Sequence, residues 1–139
     1  MTNNLCRIYV VRHGESEANI RKEFGLSPES RLTRSGEEQV KLLSERLKPV
    51  PINTIFTSDL TRAKQTAEII AKERNLAVLT KKALHERSYG KLNGKTEEEI
   101  RIELTGVYQE YLAMSDRDKY FYKLVHDMET VDEALSRFL

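Results

Sequence analysis

Arg12-His13-Gly14-Glu15-Ser16, with Asn19 three residues further on, is the first stretch of the chain whose side chains can do chemistry together. An imidazole attacks phosphorus only through an unprotonated ring nitrogen, and a hydrogen bond from the other nitrogen fixes that tautomer. Arg12 offers a planar fork of donors suited to phosphoryl oxygens, and Gly14 lets backbone approach a ligand closely. Taken alone, such a tripeptide is more often a turn with a satisfied histidine than a catalytic centre. Here it has company. Thr57-Ser58-Asp59-Leu60-x-Arg62-Ala63-x-Gln65-Thr66-Ala67 puts Arg62 in the first turn of a helix, whose positive N-terminus also favours an anion. His85-Glu86-Arg87-Ser88-Tyr89-Gly90-x-Leu92-x-Gly94 adds a carboxyl, Glu86, that can lend a proton to a leaving oxygen when partial burial raises its pKa.

These motifs act as one site only if the fold brings them to one edge. Leu5-Cys6-Arg7-Ile8-Tyr9-Val10-Val11 is short and rich in β-branched and aromatic residues, the pattern of a buried parallel strand, with Cys6 a small buried thiol within it. Asn53 to Thr57 and Leu76 to Thr80 read as two further strands. Between the first and second, Thr33 or Ser35 can cap a helix with Val40, Leu43 and Leu47 on one face, stopped by Pro49 and Pro51. Between the second and third, Ser58 opens a helix carrying Leu60, Ala63, Ala67 and Ile70 at helical spacing. Strands alternating with helices imply right-handed crossovers, hence an α/β fold with a parallel sheet covered by helices. Each motif then follows a strand end on the same edge of the sheet, where ligands bind in such folds.

After about residue 95 the pattern changes. Thr96-x-x-Glu99 and Thr130-x-x-Glu133 are capping-box patterns that predict helices, and no further strand is visible. The acidic run Glu97 to Glu99 fits a helix N-terminus, and Tyr108, Tyr111, Tyr120, Phe121 and Tyr122 fit ordinary packing among those helices. Val131, Ala134, Leu135, Phe138 and Leu139 form one stripe that is still running at the last residue.

The 139 residues, 39% of them hydrophobic, suit one domain with a single core. Twenty-three basic and 22 acidic side chains nearly cancel, so no global field points to nucleic acid or a membrane surface, and phosphate affinity has to come from local placement. The apolar run at Leu5 to Val11 is far short of the roughly 20 residues that span a bilayer. One cysteine cannot form an intramolecular disulfide, which fits a reducing compartment and a soluble cytoplasmic protein. No His/Cys or carboxylate cluster has metal-ligand spacing, so no metal or other cofactor is expected.

In this order the blocks resemble the histidine phosphatase superfamily, which includes phosphoglycerate mutases, fructose-bisphosphatases and smaller broad phosphatases. The resemblance runs through residues 5 to 94 and weakly to the end. Leu32-Thr33-x-x-Gly36-x-x-Gln39 resembles the opening of the family's first helix, and Glu129-Thr130 resembles the helix after its cap. It implies a three-layer phosphoglycerate mutase-like fold with a small helical cap at about residues 95–128. It also implies a phosphohistidine on His13, with Arg12, Arg62 and Glu86 as its catalytic companions. Phosphate or substrate contacts would come from Gly14, Glu15, Ser16, Asn19, Gly25 and Tyr89, and the partner would be a small-molecule phosphate ester.

The family completes its pocket with a second histidine, in a His-Gly motif after a late strand, and this chain has none. His85 and His126 neither follow a strand nor precede glycine, and are expected to be surface or packing residues. The expectation is therefore a domain whose C-terminal part is missing. Its first strand would be an exposed edge, and it would lack one preplaced charge, typically worth on the order of a hundredfold in rate. Only about 35 residues separate Gly94 from Glu129, a cap short enough to favour a phosphatase. The Glu86-Arg87-x-Tyr89-Gly90 wording is nonetheless mutase-like, and a non-catalytic binder of phosphate compounds is the alternative from outside the enzymes.

Overall fold

Short-range capping chemistry places most of the helices. The computed structural model describes residues 5–139. Ser16 caps α1 (Glu17–Arg21) in a full capping box with Asn19, and Lys22 ends it in the left-handed region. The hydrophobic periodicity of the sequence does not announce this turn. Thr33 caps α2 (Arg34–Leu47), whose Val40 and Ser44 are buried. A short strand, β1 (Ile55–Thr57), leads to α3 (Thr61–Lys72), and β2 (Val78–Thr80) pairs with β1 in parallel register, Ile55 opposite Val78 and Thr57 opposite Thr80. Both strands are shorter at their N-terminal ends than expected, and the helix starts at Thr61 rather than Ser58, capped by Leu60 without a side-chain bond. Arg62 nonetheless falls in its first turn.

Thr96 and Thr130 both form the expected capping boxes, opening α4 (Glu97–Glu103) and the last helix. Between them lie α5 (Val107–Ala113) and α6 (Asp116–Phe121), and the chain ends in α7 (Val131–Phe138). The result is the expected α/β class, with the parallel sheet represented by β1 and β2 alone among the described residues.

Two apolar clusters hold these elements. Leu32, Val40 and Ile70 pack with Leu43, Leu47, Ile55 and Ile69, joining α2 and α3 to β1. Leu92, Ile100, Tyr108, Leu124, Val125 and Met128 form the second, with Phe24, Tyr89, Leu104, Tyr111 and Tyr122 against it. Leu92 and Met128 are essentially fully buried, and truncating either to alanine should cost about 2–5 kcal/mol. Tyr108 stacks on Tyr111, which meets Tyr122, so those tyrosines do pack as the sequence suggests.

The first expected strand is not formed. Leu5 to Val11 lies outside any strand, with Ile8 79% and Val10 93% exposed, and the Cys6 thiol is exposed as well. β-Branched residues favour a strand only when a neighbour supplies the ladder and a surface to pack on, and no described segment does so here. The stripe on α7 is likewise open: Leu135 and Phe138 are exposed and the helix has no buried residue.

Candidate active site

His13 stands in a loop held by α2 and α3. Gly14 N donates to Thr66 Oγ1 (3.4 Å), Glu15 N donates to Gln39 Oε1 (2.9 Å), and the Glu15 carbonyl accepts from Thr33 N (3.0 Å). The approach is close enough to require glycine on both sides. A Cβ at Gly14 would come within 2.9 Å of Val40 Cγ2 and overlap the Gly36 carbonyl, and one at Gly36 would overlap the Glu15 carbonyl. The Leu32-to-Gln39 motif thus braces the loop that carries His13.

The tautomer of His13 follows from its two neighbours. Nδ1 lies 2.7 Å from the Gly14 carbonyl oxygen, which only accepts, so Nδ1 carries the proton. Nε2 receives a hydrogen bond from Arg62 Nε (3.2 Å), which only donates, so Nε2 holds the lone pair. Burial pushes the His13 pKa down, and the positive charges of Arg62 and Arg12 add to this, against opposing effects of the Gly14 hydrogen bond and Glu86. A neutral imidazole with an unprotonated Nε2 is the nucleophilic form.

Arg62 organises the rest. Its side chain is buried, and its three nitrogens go to three places: Nε to His13, Nη1 to the Ser27 carbonyl (3.0 Å), and Nη2 to Glu86 Oε2 (2.7 Å). Thr66 Oγ donates to the Arg62 carbonyl, so one hydroxyl links the Arg62 backbone to the Gly14 amide. Three side chains far apart in sequence therefore meet, with an imidazole and a carboxyl both bonded to one guanidinium. The burial expected at Glu86 is limited, however. Its side chain is 49% exposed, because it sits at the rim with Arg62 beneath it.

The other expected residues have other surroundings. Arg12 is exposed and, among the described residues, makes no hydrogen bond; it reaches His13 through its charge alone. Ser16 is fully buried and its hydroxyl serves the α1 cap, as does the Asn19 amide oxygen, which accepts from Ser16 N and Oγ. The Glu15 carboxylate accepts from Thr33 Oγ1 (2.6 Å). Gly25 lies against Asn93 and Tyr89, and Tyr89 packs on Phe24 with Arg87 over its ring. His85 Nε2 lies against the Asp59 carboxylate, and His126 is exposed. Ser27, Gln39 and Thr66 were not singled out from the sequence as site residues. Gln39 and Thr66 stand in quoted motifs, Thr66 four residues after Arg62 on the same helix face, whereas Ser27 carries no signal.

Beyond Glu86 opens a cavity of about 450 Å³ lined by Leu26, Lys82, Lys123, His126 and Asp127 among others. Among the described residues no group of three or more His, Cys, Asp or Glu side chains is placed to hold a metal ion, and no helix is long and apolar enough to cross a membrane.

The family model of the histidine phosphatase superfamily (branch 1) matches residues 8–139. A probable phosphoglycerate mutase GpmB of Photorhabdus laumondii is 37% identical over 99 residues, covering 71% of this chain and 46% of that protein. The alpha-ribazole phosphatase of Shigella flexneri superposes with a TM-score of 0.78 at 24% identity, over 91% of this chain and 60% of that one, which shows the fold. YhfR of Bacillus stearothermophilus superposes with a TM-score of 0.73 at 27% identity, with the same coverage. The chain spans about half the length of the curated relatives it matches.

Proposed function

This chain belongs to the histidine phosphatase superfamily, and from that membership we propose that it hydrolyses a small-molecule phosphate monoester through a phosphohistidine on His13. The observation that carries the reading is the meeting of His13 Nε2, Arg62 and Glu86, with the His13 tautomer fixed from both sides. Arg62 gives up its bond to Nε2 as the phosphoryl group enters, and its guanidinium turns to the phosphoryl oxygens. The Nε2 lone pair then forms the N–P bond, the ester P–O bond breaks, and Glu86 gives its proton to the departing alkoxide. Water next attacks phosphorus and passes a proton to Glu86. The N–P bond breaks with its electrons returning to Nε2, so the sum is ester plus water to alcohol plus phosphate. Charge stabilisation by Arg62, helped by Arg12, supplies most of the acceleration, as is general for phosphoryl transfer. Glu15, Ser16 and Asn19 act by holding the loop, with Gly14 allowing the close approach.

Water reaches this site readily, since Glu86 is half exposed at its rim, which favours hydrolysis over transfer. Transfer is the second reading, favoured by the relative named as a probable phosphoglycerate mutase.

The test is to mix the chain with radiolabelled phosphate ester, quench, and look for an acid-labile, base-stable phosphoprotein. Labelling of the native chain and none of His13→Ala is expected, with phosphate release exceeding transfer to an added phosphoglycerate. Transfer outpacing release would install the mutase reading. Vanadate or phosphate binding with no labelled protein would reduce the chain to a binder.

A further inference from the structure

Glu86 projects from a loop that the last helix grips at several points. Arg137, near the end of α7, donates from Nη1 to the Ala83 carbonyl (2.6 Å) and from Nη2 to the carbonyl of Glu86 itself (3.1 Å). The same guanidinium binds the Glu129 carboxylate with two bonds, Nε to Oε1 (2.6 Å) and Nη2 to Oε2 (3.1 Å). Glu129 in turn takes the Ser88 amide on Oε2 (3.1 Å) and gives its own amide to the Ser88 carbonyl (2.9 Å). The backbone is thus fixed before, at and after Glu86.

We infer that Arg137, locked by Glu129, is a positioning residue that sets the Glu86 carboxyl against Arg62 and the leaving oxygen. Two features separate this from general scaffolding. Arg137 sits on a helix without a buried residue, and neither apolar cluster includes a residue of that helix. Its contacts also converge on the main chain of one loop, and the Glu86 side chain, half exposed, has little else to order it apart from Arg62. A planar fork is needed to bridge two carbonyls and a carboxylate at once, which a lysine cannot do.

The inference rests on Glu86 being the proton donor, and a double-mutant cycle keeps the two apart. Turnover of phenyl phosphate, a poor leaving group, and of p-nitrophenyl phosphate is measured for the native chain, Arg137→Lys, Glu86→Gln and the double variant. Arg137→Lys is expected to lower kcat on phenyl phosphate by on the order of tenfold to a hundredfold, the cost of an ångström-scale misplacement. KM and vanadate inhibition should hold, and p-nitrophenyl phosphate should be far less affected. In the Glu86→Gln background the same change should cost less than about twofold, because the group it positions is gone. Equal losses in both backgrounds, or on both substrates, would overturn the positioning role and leave the Glu86 assignment intact. Glu86→Gln slowing both substrates equally would overturn the assignment and the inference with it. Glu129→Gln repeats the measurement with the arginine kept, should Arg137→Lys fold poorly, and an additive cycle there would also overturn it.

Discussion

Gly36→Ala sets two effects of opposite sign against each other. Position 36 is the third residue of α2, where alanine is favoured over glycine by at most about 1 kcal/mol. Against this, the new Cβ overlaps the Glu15 carbonyl oxygen and lies 2.9 Å from Glu15 N and C, whereas carbon contacts are comfortable at about 3.5–4.0 Å. Relief takes a shift of the Glu15 backbone by about 1 Å. That shift strains the bonds from Thr33 N to the Glu15 carbonyl and from Glu15 N to Gln39, each worth about 0.5–1.5 kcal/mol net. The clash wins, and the variant should be less stable by roughly 1–2 kcal/mol after the helix gain is counted. The larger effect falls on rate. Glu15 is two residues from His13, so a 1 Å displacement carried to the imidazole should cost about a hundredfold in phosphoenzyme formation. Urea unfolding gives the first number, single-turnover labelling the second, and Ser35→Ala, on the exposed side of the same turn, is the control for both. A Gly36→Ala chain as stable as the native one that labels at the native rate would refute the close packing of α2 on the His13 loop.

Three more outcomes follow from the site. Arg62→Ala should weaken vanadate binding by about tenfold to a hundredfold, the loss of a charged hydrogen bond, while exposed Lys64→Ala changes little. Equal losses would make the effect one of general charge. Because His13 titrates below the ordinary imidazole value, kcat/KM should stay level as pH falls through about 6.5 and decline only below it, and Arg12→Gln should move that decline to higher pH. A decline centred above 6.5 would contradict the buried neutral imidazole. Arg137 and the Ser88 amide hold the Glu129 carboxyl below its usual range, so the stability this pair contributes is complete at neutral pH and fades as pH drops through that lowered pKa. The difference in unfolding midpoint between native and Glu129→Gln should therefore close in acid. A gap that stays constant to pH 3 would exclude an ionised Glu129 as its source.

Much of this chain was written where it could be read locally. Thr33, Thr96 and Thr130 capped the helices their spacing announced, because a cap is a hydrogen bond completed within three residues. The order of the Arg-His-Gly, Arg62 and Glu86 motifs carried the family. The helix that Ser16 and Asn19 cap is not announced in the same way, since a five-residue helix has almost no periodicity to read. The sequence also offered Leu5 to Val11 as a strand. Strand propensity is a statement about neighbours, and among the described residues no segment pairs with that run.

What tertiary structure alone decided was the wiring of the site. Arg62 divides its nitrogens among His13, 49 residues before it, the Ser27 carbonyl, and Glu86, 24 residues after it. Arg137 reaches back 54 residues to a backbone carbonyl that any side chain at position 83 would present equally well. Residue types in a sequence announce donors and acceptors but not which of them will face one another. That pairing is fixed only when the glycines at 14 and 36 let α2 close on the loop and the packing of α3 buries Arg62 beneath His13.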